Sequence, residues 1–102
     1  MVYYVYILCS PSSGKFYIGQ TEDTQARLDR HNSLEHDGWT KSYQPWQLFW
    51  SVELPSRKSA MKVERYLKKK RRLFLRRLVT DNSLVEYILQ RDSELKRLKE
   101  TG

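Results

Sequence analysis

The sequence contains few cysteines, which cross-link small proteins, and few prolines and glycines, which interrupt helices and strands. Its 102 residues include one cysteine, Cys9, with three prolines and four glycines. A single cysteine cannot form an internal disulfide, which excludes a disulfide-stapled secreted scaffold and is typical of a reducing compartment. Because Cys9 ends an apolar run, a role as a small packed hydrophobe is favoured over that of a reactive thiol.

Long apolar runs are also missing. No stretch of about 18 apolar residues is present, so we expect no transmembrane helix. The first residues lack a basic start followed by an unbroken apolar segment, so we expect no secretory signal. Together these absences predict a cytoplasmic protein without a membrane partner. A chain of this size is expected to build one main core with little stability to spare.

Acidic residues are scarce in one part of the chain. Residues 1–56 hold 4 Lys and Arg against 6 Asp and Glu, whereas residues 57–102 hold 15 against 6 and so carry the excess behind the net charge of +7. Clustered cations attract polyanions because they neutralise phosphates and release counterions. A solvated helix face is the alternative, but Glu64 is the one acid within 57–77, so nucleic acid contact is favoured. The predicted contacts are Lys62, Arg65, Lys68, Lys69, Lys70, Arg71 and Arg72.

Two segments rich in β-branched and aromatic residues, 2–9 and 15–20, open the chain with turn-forming residues between them. This pattern predicts an antiparallel hairpin. A suitable register would place Tyr6 and Tyr17 on the same face, although the sequence leaves that register open. Buried tyrosines need partners for their hydroxyls. Several tyrosines in one hairpin therefore suggest a surface that lines a polar functional site.

Alternating and helical patterns continue along the chain and predict an α+β domain over residues 1–80. This domain would be a three-stranded antiparallel sheet flanked by helices, followed by an extra C-terminal helix within 81–102. The first helix would start with a hydroxyl cap within Thr21–Thr24. Whether the two segments that follow the third strand form one helix is left open. The predicted segments are a helix to about residue 32, a loop over 33–47, a strand over 48–54, and helical segments over 57–70, 73–79 and 84–99.

The C-terminal segment shows apolar residues in a spacing of four and three. Leu84, Ile88, Leu95 and Leu98 follow this spacing, and Arg91 fills the slot between them. The pattern resembles a short heptad seam with one charged position. The segment could dock on the domain or pair with a second copy to form a homodimer.

Aromatic residues are interleaved with polar ones in the predicted loop. Trp39, Tyr43 and Trp46 could stack on the bases of a nucleic acid strand. Alternatively, the two tryptophans could cover the core, which is favoured because a small domain needs its apolar anchors.

The tyrosines of the hairpin belong to a recognisable signature. Tyr4-Val5-Tyr6, followed after about ten residues by Tyr17-Ile18-Gly19, resembles the paired motif of the GIY-YIG endonuclease superfamily, in particular its small single-domain members. Tyr4 and Val5 stand where the family has glycine and isoleucine. Arg27, His31 and Glu64 strengthen the match, which covers residues 1 to about 80. The resemblance implies a metal-dependent endonuclease that cuts DNA, or RNA, one strand at a time.

The resemblance also assigns roles to these residues. Glu64 would be the sole protein ligand of Mg²⁺ or Mn²⁺, and Arg27 would neutralise charge on the attacked phosphate. Tyr17, aided by Tyr6 or His31, would activate the attacking water.

The residues by themselves leave alternatives to each of these roles. Glu64 leans toward the core side of its helix, where a salt bridge to Arg27 or a nearby lysine would also compensate its charge. Arg27 could be a surface arginine and His31 a helix-end residue that complements the dipole. Tyr6 and Tyr17 could serve in core packing.

Two positions depart from the family pattern. Many relatives carry a lysine where this chain has Gln20, and the asparagine expected after Glu64 has only Asn82, a predicted capping residue, as a counterpart. Two rival functions therefore stand beside the nuclease: a non-catalytic nucleic-acid-binding module, and an interaction domain whose basic residues only confer solubility.

Overall fold

The computed structural model describes residues 2–35 and 38–90. It confirms the predicted α+β architecture, a three-stranded antiparallel sheet with helices around it. Across those described ranges, no helix combines the length and the apolar character that crossing a membrane requires. The strands are β1, Tyr3–Cys9, β2, Phe16–Thr21, and β3, Gln47–Leu54, and the helices are α1, Thr24–His31, α2, Arg57–Lys68, α3, Arg72–Arg77, and α4, Asn82–Gln90.

The most apolar strand, β1, lies at the centre of the sheet, and β2 forms one edge in the order β2-β1-β3. Tyr6 pairs with Gly19 and Leu8 pairs with Tyr17. Residues directly opposite each other in an antiparallel pair share a face of the sheet. This register therefore places Tyr6 and Tyr17 on the same face, as the hairpin prediction required.

Each face of the sheet has its own apolar cluster. Val5 and Ile7 face α2, whose buried stripe reads Ala60, Val63 and Leu67 at helical spacing. On the opposite face a smaller cluster forms from Tyr6, Leu8 and Trp46, with Tyr17, Leu28 and Tyr43 packed against it. The sheet thus separates the larger, mainly aliphatic core from the smaller layer that contains Tyr6 and Tyr17.

Helix caps were predicted with mixed success. Ser56 caps α2 as expected, since its hydroxyl accepts a hydrogen bond from the N–H of Ser59 at 3.1 Å. The predicted hydroxyl cap of α1 is wrong, because the carboxylate of Asp23 accepts from the N–H of Ala26 at 3.0 Å. A carboxylate competes well for this position because it meets the positive end of the helix dipole.

The basic segment contains a break that the sequence left open. Helix α2 ends at Lys68 and α3 begins at Arg72. Helix α4 carries Leu84 and the buried Ile88, whereas the rest of the proposed seam and its dimer lie outside the described residues.

The loop after α1 is tied back to the end of that helix. The side chain of Asn32 donates to the carbonyl of Trp46 at 2.9 Å and accepts from the N–H of Trp46 at 2.6 Å. Gln44 donates from Nε2 to the carbonyl of His31 at 2.7 Å, which satisfies one of the acceptors left open at a helix end. These bonds position the aromatic residues of the loop.

Replacing Asn32 by alanine should lower the free energy of unfolding by about 2–4 kcal/mol, because two backbone groups of Trp46 lose their partners. Urea denaturation followed by circular dichroism measures this. Gln25→Ala, at an exposed position of the same helix, is the control and should change the free energy by about 0.5 kcal/mol or less. Equal effects of the two substitutions would contradict a stabilising role for the Asn32 side chain.

Candidate active site

Two tyrosines of the hairpin lie side by side. The ring centroids of Tyr6 and Tyr17 are 6.2 Å apart, and Tyr6 is buried. The Tyr6 ring crosses over β2 at Gly19, where an added Cβ would lie 2.6 Å from the Tyr6 hydroxyl oxygen and 2.7 Å from its Cζ. Any side chain at Gly19 would therefore displace the Tyr6 hydroxyl, which explains the glycine in physical terms.

A histidine from α1 completes an aromatic trio. The His31 ring centroid lies 4.4 Å from that of Tyr17 and 6.5 Å from that of Tyr6. His31 is the last residue of α1, yet it is buried, and its Nδ1 lies 3.3 Å from the hydroxyl of Thr40. The structure therefore brings three of the predicted site residues, Tyr6, Tyr17 and His31, into one aromatic cluster.

Electrostatics link two further predicted residues to this trio. Burial raises the pKa of Tyr6 to about 12, and the neighbouring Tyr17 hydroxyl adds to the shift. Arg27 lowers this pKa and Glu64 raises it, so both charges lie within electrostatic range of the Tyr6 hydroxyl. Tyr17, Arg27 and Glu64 thus all influence the pKa of the Tyr6 hydroxyl, and His31 lies against the ring of Tyr17.

The guanidinium of Arg27 has no hydrogen bond or ion pair with any residue in the described ranges. Arg27 lines an open pocket together with Gln20 and Arg57. A guanidinium without a protein partner is available for a phosphate, which it can bind through two parallel hydrogen bonds.

Glu64 already has a cationic partner. Its carboxylate lies 2.7 Å from the ammonium of Lys68, one helical turn later, and its side chain is 17% exposed. This realises one predicted alternative, a salt bridge to a nearby lysine, whereas a bridge to Arg27 is not formed. Because the Lys68 side chain is 55% exposed, such a pair contributes only about 0.3–0.5 kcal/mol, and the lysine can be displaced at little cost.

The amide oxygen of Gln20, a residue that lines a pocket with Glu64, lacks a partner among the described residues. The Oε1 atom of Gln20 is buried and has no hydrogen bond to any residue of the described chain. Gln20 and Glu64 line the same pocket at the edge of the sheet. A buried oxygen left unpaired costs about 1–3 kcal/mol unless a bound group satisfies it. Carboxylate and amide oxygens are the hard ligands that Mg²⁺ and Mn²⁺ accept, so these two residues fit a divalent cation.

Sequence reasoning did not include Gln20 among the site residues. It appeared only as a departure from the lysine of the family pattern. Its position directly after Tyr17-Ile18-Gly19 was the available signal. In the part of the chain that the structure describes, no three His, Cys, Asp or Glu side chains cluster to hold a metal ion. A cation at Glu64 would therefore need other ligands, such as an amide oxygen, water or substrate.

The candidate site lies at the outer edge of β2, where residues from both faces of the sheet come together. Tyr6 and Tyr17 lie on one face of the sheet, while Glu64 projects from α2, which packs on the other face. Lys68 connects the two sides, because it pairs with Glu64 and also lines a groove with Tyr17. An edge strand has no neighbour on one side, so side chains from both layers can meet there.

The predicted nucleic acid contacts fall into two groups. Four line the pockets described here: Arg65 and Lys68 beside Glu64, and Lys68, Lys70 and Arg72 beside Tyr17. The remaining three, Lys62, Lys69 and Arg71, are exposed but line neither pocket.

The two tryptophans of the loop differ in solvent exposure. Trp46 is 2% exposed and covers the core, as the favoured interpretation held. Trp39 is 54% exposed and lies in the groove beside Tyr17, so that interpretation is wrong for Trp39. The spacing of aromatic residues could not separate the two, since both occur in one polar loop.

Comparison with known proteins identifies the family. Residues 2–77 match the model of the GIY-YIG catalytic domain. The chain is 38% identical to a UPF0213 protein of Streptococcus sanguinis strain SK36 over 69 residues, which is 68% of this chain and 78% of that protein. It is 36% identical to a UPF0213 protein of Streptococcus pneumoniae serotype 4, over 68% of this chain and 69% of that protein.

Among solved structures, the solution NMR structure of a UPF0213 protein from Bacillus halodurans is similar. It has a TM-score of 0.48 and 33% sequence identity, with 78% of this chain and 84% of that chain covered. The family assignment rests on the matches in sequence: the chain belongs to the GIY-YIG catalytic domain family.

Proposed function

We propose that the protein is a divalent-metal-dependent endonuclease that hydrolyses phosphodiester bonds of DNA, one strand at a time. The observation that carries the proposal is that a second tyrosine, a guanidinium without a partner in the described ranges and a carboxylate all lie within electrostatic range of the Tyr6 hydroxyl. These groups match the needs of phosphodiester hydrolysis, which are a proton acceptor for water, a cation for the phosphate and a ligand for a metal ion.

In this proposal Glu64 and the Oε1 of Gln20 would hold Mg²⁺ or Mn²⁺. When bound, the ion supplies Lewis-acid polarisation of a phosphate oxygen. Lys68 moves toward solvent to release the Glu64 carboxylate, at the small cost of an exposed helix ion pair. Arg27 binds the same phosphate and offsets the negative charge that grows during attack.

The two tyrosines take different parts. With a pKa of about 12, Tyr6 is protonated at neutral pH and acts as a hydrogen-bond donor. Tyr17 contacts the ring of His31. In the proposed step Tyr17 gives its own hydroxyl proton to His31 as it takes up the proton of the attacking water, so the phenol stays neutral. When Nδ1 of His31 donates to Thr40, Nε2 carries the lone pair and can take up the proton from Tyr17.

A non-catalytic nucleic-acid-binding module is the second candidate. The ion pair between Lys68 and Glu64 favours it, because a carboxylate compensated by a lysine needs no metal ion. In such a module the basic residues would bind the phosphate backbone and the site would not turn over.

Replacing Glu64 by glutamine should reduce nicking of supercoiled plasmid by on the order of 10²–10³-fold in the presence of Mg²⁺ or Mn²⁺, because the metal ion loses its charged ligand. Glu53→Gln removes an exposed carboxylate of β3 and is the matched control, with activity unchanged. Nicking by Glu64→Gln at the wild-type rate would contradict the proposed role. A wild-type protein that binds DNA with a steep salt dependence but never nicks it would favour the binding module.

The raised pKa of Tyr6 should appear in the pH dependence of stability. Its folded-state pKa of about 12 exceeds the ordinary value of 10.0, so the protonated form stabilises the fold below pH 10. That contribution, at most about 2–3 kcal/mol, should be lost as the pH rises from 10 to 12. Urea denaturation of the wild-type protein and Tyr6→Phe across this range measures it. Parallel pH curves for the two proteins would contradict a protonated, buried Tyr6.

A further inference from the structure

Trp39 is an exposed aromatic residue in a position that costs stability. It is 54% exposed, whereas Trp46, seven residues later, is 2% exposed. Leaving a large apolar ring in water forgoes the favourable free energy of burial, and a small domain has few such anchors to spare. An exposed tryptophan inside a groove therefore points to a ligand that covers it.

Neighbouring rings hold Trp39 in place. Its ring centroid lies 6.0 Å from that of Tyr17, 5.8 Å from that of Tyr43 and 6.0 Å from that of Trp46. The last two contacts are edge-to-face, the arrangement that aromatic pairs prefer. The loop carrying Trp39 is in turn bonded to the end of α1 through Asn32. Trp39 therefore presents a supported aromatic surface.

The groove beside Trp39 is strongly positive. Its lining includes Lys68, Lys70 and Arg72, with no acidic residue among the described residues that line it. Its volume is about 410 Å³, within the range of about 300–1,000 Å³ found for ligand sites. Cations next to an exposed ring suit a ligand that carries both phosphates and flat bases.

We propose that this groove receives an unpaired DNA nucleotide next to the cleaved phosphate, with its base stacked on Trp39 and the flanking phosphates bound by Lys68, Lys70 and Arg72. The inference rests on the proposed function, because Tyr17 lines the same groove and fixes where the cleaved phosphate lies. The substrate class is therefore single-stranded DNA or a duplex with an unpaired base.

The preference for an unpaired base follows from the geometry of stacking. Both faces of a base inside a duplex are already covered by its neighbours, so it cannot stack on a side chain without leaving the helix. Taking a base out of a duplex costs a few kcal/mol, and the cost is least where the base is already unpaired. A duplex would use the cations of the groove but gain nothing from Trp39.

Binding experiments in EDTA test this inference without any cleavage. The probe is a fluorescein-labelled DNA strand of about 12 nucleotides, free or annealed to its complement. Trp39→Ala should weaken binding of the single strand by about 5- to 150-fold and binding of the duplex by no more than about twofold. Trp39→Phe, which keeps an aromatic face, should recover most of the affinity. The salt dependence of binding should be the same in all three proteins, because no charge is removed.

The control is Tyr87→Ala, which removes a ring of similar exposure, 56%, from α4. Its affinity for both probes should equal that of the wild type, and circular dichroism confirms that each variant is folded. Equal losses for single strand and duplex in Trp39→Ala, or no loss, would overturn the inference. Plasmid nicking is measured separately. If the protein nicks plasmid but shows no preference for single strands, the inference about the groove is wrong and the proposed nuclease function stands. If it prefers single strands but never nicks, the nuclease function is wrong and the inference about the groove stands.

Discussion

The close approach of the Tyr6 ring to the backbone of Gly19 is the constraint on which the site depends. The Tyr6 hydroxyl comes from the buried central strand, and the edge strand must leave it room to pass. Gly19 leaves that room, since a Cβ there would come within 2.6 Å of the Tyr6 oxygen. Once Tyr6 crosses over β2, its hydroxyl comes within electrostatic range of Arg27 and Glu64, which arrive from helices on different sides of the sheet.

Charge organises the surroundings of this hydroxyl. Burial raises the pKa of Tyr6, while Lys68 compensates Glu64 and also lines the positive groove beside Tyr17. One exposed lysine thus joins the carboxylate pocket to the groove. In the proposed function a divalent cation would replace this weak ion pair, and the displaced ammonium would remain in the positive groove. On β2, the Oε1 of Gln20 is buried and has no hydrogen-bond partner within residues 2–35 and 38–90.

Much of the fold was predictable from local patterns. Alternation and helical spacing predicted three strands and the helix stripe of Ala60, Val63 and Leu67, because these periods reflect burial on one side of an element. The predicted hydroxyl cap of α1 was wrong, because the Asp23 carboxylate takes that position. The sequence left open whether the segment after β3 forms one helix, and the structure ends α2 at Lys68 and begins α3 at Arg72.

The sequence alone determined the strands, the charge imbalance and the family motif, because each of these is carried by neighbouring residues or by composition. Through the motif and its spacing, the sequence also indicated the five candidate site residues, but not their arrangement in space. Tertiary structure decided the hairpin register, the different exposures of Trp39 and Trp46, and the pocket shared by Gln20 and Glu64. Such contacts join residues far apart in the chain, and their energies depend on how the layers pack rather than on any local pattern.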